Sequence, residues 1–406
     1  MAATLPAKPA ASPDRDLDYY RRLYEEARAV HGVSLWQDAW RRLKRNRVAM
    51  FSLGFLVVLA VLAFLTPALP LQSPSQQDVR ARQYHPPNLK PVRLQIEDSQ
   101  KQRRLLSELV QEHNEQLAAA TQAGDEDTLK TLHDSHPYGI LWNNPGWLTR
   151  RLFDLRMAIF GDWCLPSLCG TDQLGRDVLA RLFWGARVSL MVGLIATFVS
   201  LLIGVSYGAT AGYVGGVVDK IMMRIVDMLY SIPFLFVVIL LITVLSAEGI
   251  KRVYLEPYGI NSIVIFYVVI GAIFWLTMAR VVRGQVISLK NEQFVDTARI
   301  SGASTARIIF RHLVPNVLGI VIVYLTLTIP SVMLFEAILS FLGLGVRPPD
   351  VSWGLLADEG VKVITPIKTY WWLVLFPSAA LAGTLFALNF LGDGLRDAFD
   401  PRLKNR

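Results

Sequence analysis

The sequence predicts an all-α polytopic membrane protein with six transmembrane helices, both termini cytoplasmic, and a large extracytoplasmic insert between the first and second helices. Three observations predict it. Hydrophobic residues make up 52% of the 406 residues and the mean hydropathy is +0.36, whereas soluble domains hold roughly 45–50% apolar residues with glycine counted in. Charge concentrates in the segment before Arg47, in the stretch between Pro67 and Arg187, and in an island from Arg280 to Pro315. Between these lie runs almost free of charge and long enough for the ~20 apolar residues that cross ~30 Å of hydrocarbon.

Residues 1–47 read as a cytoplasmic tail. Its first thirty residues are rich in Ala, Pro and charge and lack the apolar core and small-residue cleavage site of a secretory signal. Over 17–45, Tyr20, Leu23, Tyr24, Leu35, Trp36, Trp40 and Leu43 suit an amphipathic helix on the membrane surface. The first span is 48–66. Arg41, Arg42, Lys44, Arg45 and Arg47 precede it and hold that end inside, and Pro67 and Pro70 stop it.

Residues 67–187 form the outer loop and insert. Between 67 and 170, eleven Lys/Arg stand against twelve Asp/Glu, so the basic bias of an inside loop is missing. Leu94, Leu105, Leu106, Leu109, Val110 and Leu117 recur near helical spacing and predict a helix from Val92 to about Ala120. Asp125-Glu126-Asp127 opens a second, over 125–133. Cys164 and Cys169 have no nearby His pair, which makes them a poor metal site. An oxidising compartment allows a disulfide between them, and two free thiols are the alternative.

Residues 188–395 carry the remaining spans, at 188–213, 221–245, 263–282, 317–344 and 372–391, with a polar loop over 283–315. Residues 396–406 form a basic tail containing Arg396, Arg402, Lys404 and Arg406. From Arg280 to Pro315, six Lys/Arg face two Asp/Glu, so this island belongs inside too. The net charge of +8 is the inside excess of a membrane protein rather than a nucleic-acid surface. Pro233, Pro330 and Pro377 fall in or near spans, which requires neighbours that re-satisfy the freed carbonyls. Gly208-Ala-Thr-Ala-Gly212 and Ala379-Ala380-Leu-Ala382-Gly383 allow helices to approach closely.

The island reads as helix-forming. Glu292 and Asp296 suit a helix N-terminus, and Arg307 and Arg311 a C-terminus. Thr297, Ala298, Ser301, Gly302, Ala303 and Ser304 are small enough for another surface to come to backbone distance, and Gly302 breaks one helix from the next. A solvated connector, a helix-turn-helix and a docking helix all fit these properties. Tethering to spans at both ends leaves little room for DNA reading.

Asp296-Thr-Ala-x-x-x-Gly302, ending in His312-Leu-Val-Pro315-Asn316, resembles the cytoplasmic coupling loop of ATP-binding-cassette importer permeases. That family's pattern is Glu-Ala-Ala, three residues, Gly, then nine residues to Ile-x-Leu-Pro. The spacing is kept; Asp296, Thr297, His312 and Val314 depart from it. The outer stretch Gly170-Thr171-Asp172-Gln-Leu-Gly175-Arg176-Asp177, continuing to Leu190, resembles dipeptide, oligopeptide and nickel permeases, most nearly the oligopeptide permease C-type subunit. Ser340-Phe-Leu-Gly-Leu-Gly345, Ser352-Trp353-Gly354 and Gly392-Asp393-Gly394-Leu-Arg396-Asp397 fit the same family. The resemblance covers 168–403 closely and 40–66 loosely, and is silent on 71–165.

The resemblance implies a coupling loop carried by Asp296, Thr297, Ala298, Gly302, Ala303, His312 and Pro315. It implies a second, B-type permease subunit, two ATP-binding subunits, an extracytoplasmic solute-binding protein and a bacterial cytoplasmic membrane. Peptides are the family's usual substrate, with nickel or another small solute as the alternative. The sequence has no Gly-x-x-x-x-Gly-Lys-Ser/Thr phosphate loop, so ATP and Mg enter only through partners and this chain binds no cofactor itself. In the outer motif, Gly170, Thr171, Asp172, Gly175, Arg176 and Asp177 read either as caps that orient the second span or as substrate contacts. Glu336, an ionisable group inside an apolar run, is a candidate for the translocation path by default, with water or a neighbouring helix as its other destinations. A membrane-embedded enzyme would need convergent acids, nucleophiles or metal ligands, and the spans offer no pair at catalytic spacing. An ATP-independent channel or secondary transporter would not need the docking loop.

Overall fold

The computed structural model describes residues 35–97, 103–134, 136–141, 146–245, 247–250 and 262–399. The expected tail over 1–34, with Tyr20, Leu23 and Tyr24, and the basic positions 402, 404 and 406 lie outside the described residues. Helix α1 (Leu35–Arg45) buries Ala39 and Leu43 against Ala49 and Ala398. Trp40 is exposed on it, with the Lys44 ammonium 5.3 Å from its ring. Helix α2 (Arg47–Leu65) begins where the Asn46 side chain accepts from the Ala49 N–H at 3.1 Å. Its buried residues Ala49, Ser52 and Ala63 are small; Met50, Leu56 and Leu59 pack half-buried on the core, and Phe51, Val57, Val58, Val61 and Phe64 are exposed.

The insert departs from the expected helix. Val92–Arg93 pairs antiparallel with Trp163–Cys164, and Gln95–Glu97 with Arg103–Leu105. Helix α3 starts only at Leu106 and ends at Ala123, with Gly124 in the left-handed region at φ 68°. The reason lies in the period: Val92, Leu94 and Ile96 alternate with Arg93, Gln95 and Glu97, which is strand spacing. Leu94 and Leu106 then enter one small core with Tyr138, Phe153 and Cys164. Helix α4 (Glu126–Asp134) lies one residue from its expected place, and Asp125 caps it by accepting from the Thr128 N–H at 3.1 Å. Helix α5 (Trp147–Phe160) had no counterpart in the sequence reading.

Helix α6 (Val178–Val214) starts ten residues before the expected second span because Asp177 caps it. The expected third span is two helices, α7 (Gly216–Ser231) and α8 (Phe234–Leu245), bent by 87°. Pro233, with no N–H to give, sits at the break. Helix α9 (Ser262–Leu289) runs parallel to α6, and the two form the tightest pair. A side chain at Gly208 would collide with the Ala279 carbonyl, and one at Gly212 would lie 2.8 Å from the Arg283 carbonyl. The glycine stretch in α6 therefore performs the close approach expected of it. Gly383 does not: the nearest atom to a side chain there is Phe55 at 3.9 Å.

Helix α10 (Gln293–Ile300), a single turn at Thr305–Arg307, a wide turn over Ile308–Leu313 and α11 (Val314–Phe341) follow. Helix α12 (Trp353–Lys362) folds back on α11, and α13 (Trp371–Phe399) closes the bundle against α2, α11 and α12. Pro330 and Pro377 lie inside α11 and α13, as expected. Among the described residues five helices are long and apolar enough to cross a membrane, and the bent pair α7–α8 makes a sixth if it is one crossing.

The disulfide considered for Cys164 and Cys169 is not formed; both thiols are free and buried. They belong to different cores, Cys164 with Leu94, Tyr138 and Phe153, and Cys169 with Val178 and Trp372. Cys164 Sγ is engaged instead by the Arg156 guanidinium at 3.1 Å. Burial pushes Cys164 up to about 11 and Cys169 up to about 12, which keeps both as unreactive thiols. Alkylation of the denatured, unreduced chain is expected to modify both cysteines, with little modification before denaturation. Mass spectrometry showing a Cys164–Cys169 crosslink would contradict this arrangement.

Candidate functional site

Helix α10 is held by one face. Val295 and Ala298 are buried in an apolar cluster that also holds Val282 and Val286 of α9, Val205 and Ala209 of α6, and Val317 and Val321 of α11, and α10 packs most closely on the turn Ile308–Leu313. Burying a valine is worth about 1.5–3 kcal/mol, so the apolar face of α10 holds it down on the end of the bundle. The Arg299 guanidinium adds a tie, donating to the Tyr213 hydroxyl at 3.2 Å and to Asp296 at 3.2 Å. The helix closes in a Schellman motif: Gly302 N–H donates to the Arg299 carbonyl at 2.9 Å and Ala303 N–H to the Ala298 carbonyl at 3.0 Å. Gly302, at φ 77°, supplies the left-handed residue this motif needs. Ser304 then caps the next turn.

The other face of α10 is open. Asp296, Thr297, Ile300, Ser301 and Gly302 are exposed, and Ile300 is 89% exposed. A side chain added at Gly302 would meet nothing within 4 Å. Of the loop residues named from the sequence, Ala298 points into the core, Ala303 and His312 are half-buried, and Pro315 is an exposed first-turn residue of α11.

The outer motif lies at the opposite end of α6, a helix of 37 residues and so about 55 Å long. There Thr171 is locked on all sides. Its N–H donates to the His85 carbonyl and its hydroxyl accepts from the His85 N–H, each at 2.9 Å, while its hydroxyl also donates to the Arg82 carbonyl. The Trp372 indole N–H donates to the Thr171 carbonyl at 3.2 Å. Asp172 makes four bonds. Oδ1 accepts from the Leu174 and Arg176 N–H groups, each at 2.9 Å, and Oδ2 from Arg176 Nε at 2.7 Å and Arg181 Nη1 at 2.6 Å. Arg181 reaches on to Glu359 of α12 at 2.5 and 3.1 Å. A side chain at Gly175 would run into the Asp78 carbonyl, and one at Gly170 would lie 2.8 Å from the His85 carbonyl. Asp177 accepts from the Ala180 N–H at 2.7 Å. Its burial outweighs that bond and the nearby Arg82 and pushes its carboxyl up to about 6. These groups are consumed by the chain itself, which fits their reading as caps that orient α6.

Glu336 is fully buried. Its Oε1 accepts from the Ser340 and Ser352 hydroxyls, each at 2.7 Å. Ser352 in turn caps α12 by accepting from the Leu355 N–H at 3.1 Å. A side chain at Gly354 would lie 2.6 Å from Ala337 Cα, and Trp353 donates its indole N–H to the Leu182 carbonyl at 2.9 Å. Glu336 thus fastens α11 to α12, and the candidate for the translocation path is an internal anchor in this arrangement.

Residues 200–405 match the family described as the binding-protein-dependent transport system inner membrane component, and residues 34–87 match the N-terminal TM domain of oligopeptide transport permease C. The chain belongs to the binding-protein-dependent transport family. The dipeptide transport system permease protein DppC of Bacillus subtilis is 36% identical, over 92% of this chain and 87% of that protein. The oligopeptide transport system permease protein OppC of Escherichia coli K12 is 37% identical, over 93% and 95%. OppC of Haemophilus influenzae is 48% identical, over 57% and 70%. This permease is therefore an inner-membrane component of a transport system, and its apolar helices are the spans.

Sequence reasoning missed three of the permease's polar ties. Arg283 of α9 pairs bidentately with Asp219 of α7, at 2.5 and 2.6 Å. Arg280 pairs with Asp227 at 2.7 Å and lies over the Tyr230 ring at 4.1 Å. Glu359 completes the outer knot. Each joins residues more than fifty positions apart, and no local spacing announces them. The one available signal is charge inside an otherwise apolar run.

Replacing Glu336 tests the anchor. Glu336→Gln keeps an acceptor for both hydroxyls and should leave thermal stability in detergent and transport nearly unchanged. Glu336→Leu strands the Ser340 and Ser352 hydroxyls and should cost about 1–3 kcal/mol, read as a lowered unfolding temperature. Loss of transport in Glu336→Gln at normal stability would instead give the carboxylate a direct role.

Proposed function

We propose that this permease is one of two transmembrane subunits of an ATP-driven importer that moves peptides across the bacterial cytoplasmic membrane. The observation that carries it is α10: a short helix whose inner face joins the apolar core of the spans, ended by a tight Schellman turn, and presenting an exposed Ile300 among small and polar residues. Such a surface suits an intracellular partner that pushes on the bundle through it. The partner set is a second, B-type permease subunit, two ATP-binding subunits that bring ATP and Mg, and an extracytoplasmic solute-binding protein. Peptide as substrate rests on relatives whose names are dipeptide and oligopeptide transport permeases.

In this reading both termini and α10 face the cytoplasm, and the insert faces outward. The permease performs no chemistry; it converts closure of the ATPase pair into alternating access. Because the buried face of α10 joins an apolar cluster shared with α6, α9 and α11, a force on it enters the core that those spans share. A reporter fused at residue 300 should signal from the inside.

Ile300→Glu tests the docking surface. Ile300 makes no core contact, so insertion and membrane abundance should match wild type. A charge at the centre of a docked apolar contact should cost about 2 kcal/mol or more, roughly thirtyfold in partner affinity. Peptide uptake should fall and the ATP-binding subunits should fail to co-purify in mild detergent, while Ile300→Leu retains both. Normal uptake by Ile300→Glu would overturn the proposal.

A further inference from the structure

Helix α5 has apolar residues on two sides, and the core accounts for one. Inward, Phe153 joins the insert core and lies 6.3 Å from the Trp184 ring of α6. Arg156, also buried, donates to the carbonyls of Leu69 at 3.2 Å and Leu71 at 3.4 Å. On the other side Leu148, Leu155 and Ile159 are exposed. With the half-buried Leu152 they fall at i, i+4, i+7 and i+11, one continuous stripe of a helix. Trp147 and Phe160 at the two ends of α5 and Trp163 just beyond it are exposed as well, and Arg150 and Arg151 stand in its first two turns.

Position decides what covers this stripe. α5 packs against the turn Thr66–Ala68, directly after the end of α2. The Arg156 anchor point, Leu69, is four residues past Leu65, the last residue of α2. The outward face of α2, with Val58, Val61 and Phe64 exposed, belongs to a span of high mean hydropathy and meets lipid. Helix α5 therefore lies beside the end of α2, where that lipid-facing surface stops. Exposed Trp and Phe rings beside Arg, on a helix with an apolar stripe, are the composition of the headgroup boundary.

We propose that α5 is an interfacial helix that beds Leu148, Leu155 and Ile159 in the lipid surface beside α2. It would tether the insert to the bilayer through lipid contact, with the Arg156 bonds fixing its height. The proposal needs only that α2 crosses the membrane, so it stands apart from the transport reading.

Spin labels on Leu155→Cys and Ile159→Cys, in the whole transporter reconstituted into phosphatidylethanolamine–phosphatidylglycerol vesicles, test it. Gln116→Cys on the exposed side of α3 serves as the water reference, and the unsubstituted chain, whose thiols are buried, as the labelling blank. At 155 and 159, collisions with oxygen should exceed those with an aqueous nickel chelate, and the order should reverse at 116. A water-like order at 155 and 159 overturns the proposal, and so does protection from both reagents, which would mean a protein cover. Photoactivated lipids crosslinked to the unsubstituted transporter give a second reading free of substitution: residues 147–160 should carry label, and an unlabelled α5 beside a labelled α2 overturns the proposal.

Discussion

The structure depends on a knot of four charges: Asp172, Arg176, Arg181 and Glu359. Arg181 is buried on α6, a helix otherwise apolar enough to span the membrane, and an unpaired charge there would be prohibitive. It is tolerated because Asp172 and Glu359 converge on it, at 2.6 and 2.5 Å, and because the other lone pairs of Asp172 are taken by backbone N–H groups and Arg176. The geometry ties three distant pieces of chain. The loop before α6 supplies Asp172, α6 supplies Arg181, and α12 supplies Glu359. Once they meet, Thr171 is carried against His85 and Trp372, and the entry to α13 is set.

The two ends of the bundle solve the same problem differently. At the end carrying Asp172, polar groups are buried and matched to one another, and glycines at 170 and 175 let backbone press on backbone. Glu336, with Ser340 and Ser352, extends that matching one layer deeper. At the end carrying α10, the anchoring is apolar and the polar groups are turned outward. Val295 and Ala298 hold the helix down, while Thr297, Ile300 and Ser301 are left uncovered. The first end is tied together by buried polar contacts, although Arg181 Nε and Glu336 Oε2 find no partner among the described residues; the second leaves an outward face open to a partner.

Much of this was legible in sequence because the relevant signals are local. Charge-free runs located the spans, Gly302 announced the break after α10, and Asp125 announced α4. The failures have physical reasons. The strand from Val92 was read as helix because leucines further on imposed a helical period, although 92, 94 and 96 alternate cleanly. The third span reads as one apolar run with Pro233 at its centre, and the run alone does not show that the bend there is nearly a right angle. For Glu336 the sequence leaves a passage, water or a neighbouring helix open, because an ionisable group in an apolar run does not name its partner. Its partner Ser352 lies sixteen residues away, across a turn that spacing does not reveal. Asp219 with Arg283, and Arg181 with Glu359, were invisible for the same reason on a larger scale.

The long-range ties also bear on how motion would pass through the molecule. α9 leads directly into α10, and it is α9 that carries Arg280 and Arg283, the partners of Asp227 and Asp219 on α7. Among the described residues of α7 only Val226 is buried, so apolar packing does little to hold that helix. Its position is set instead by ion pairs to α9 and by the Tyr207 hydroxyl, which donates to the Met222 carbonyl at 2.9 Å. A helix held this way follows its partner without repacking a core, because ion pairs can reorient where interdigitated side chains cannot. The break at Pro233 then uncouples α7 from α8, whose Val238 and Ile242 are packed in the core. The break therefore separates a segment held by ion pairs to α9 from one packed in the core.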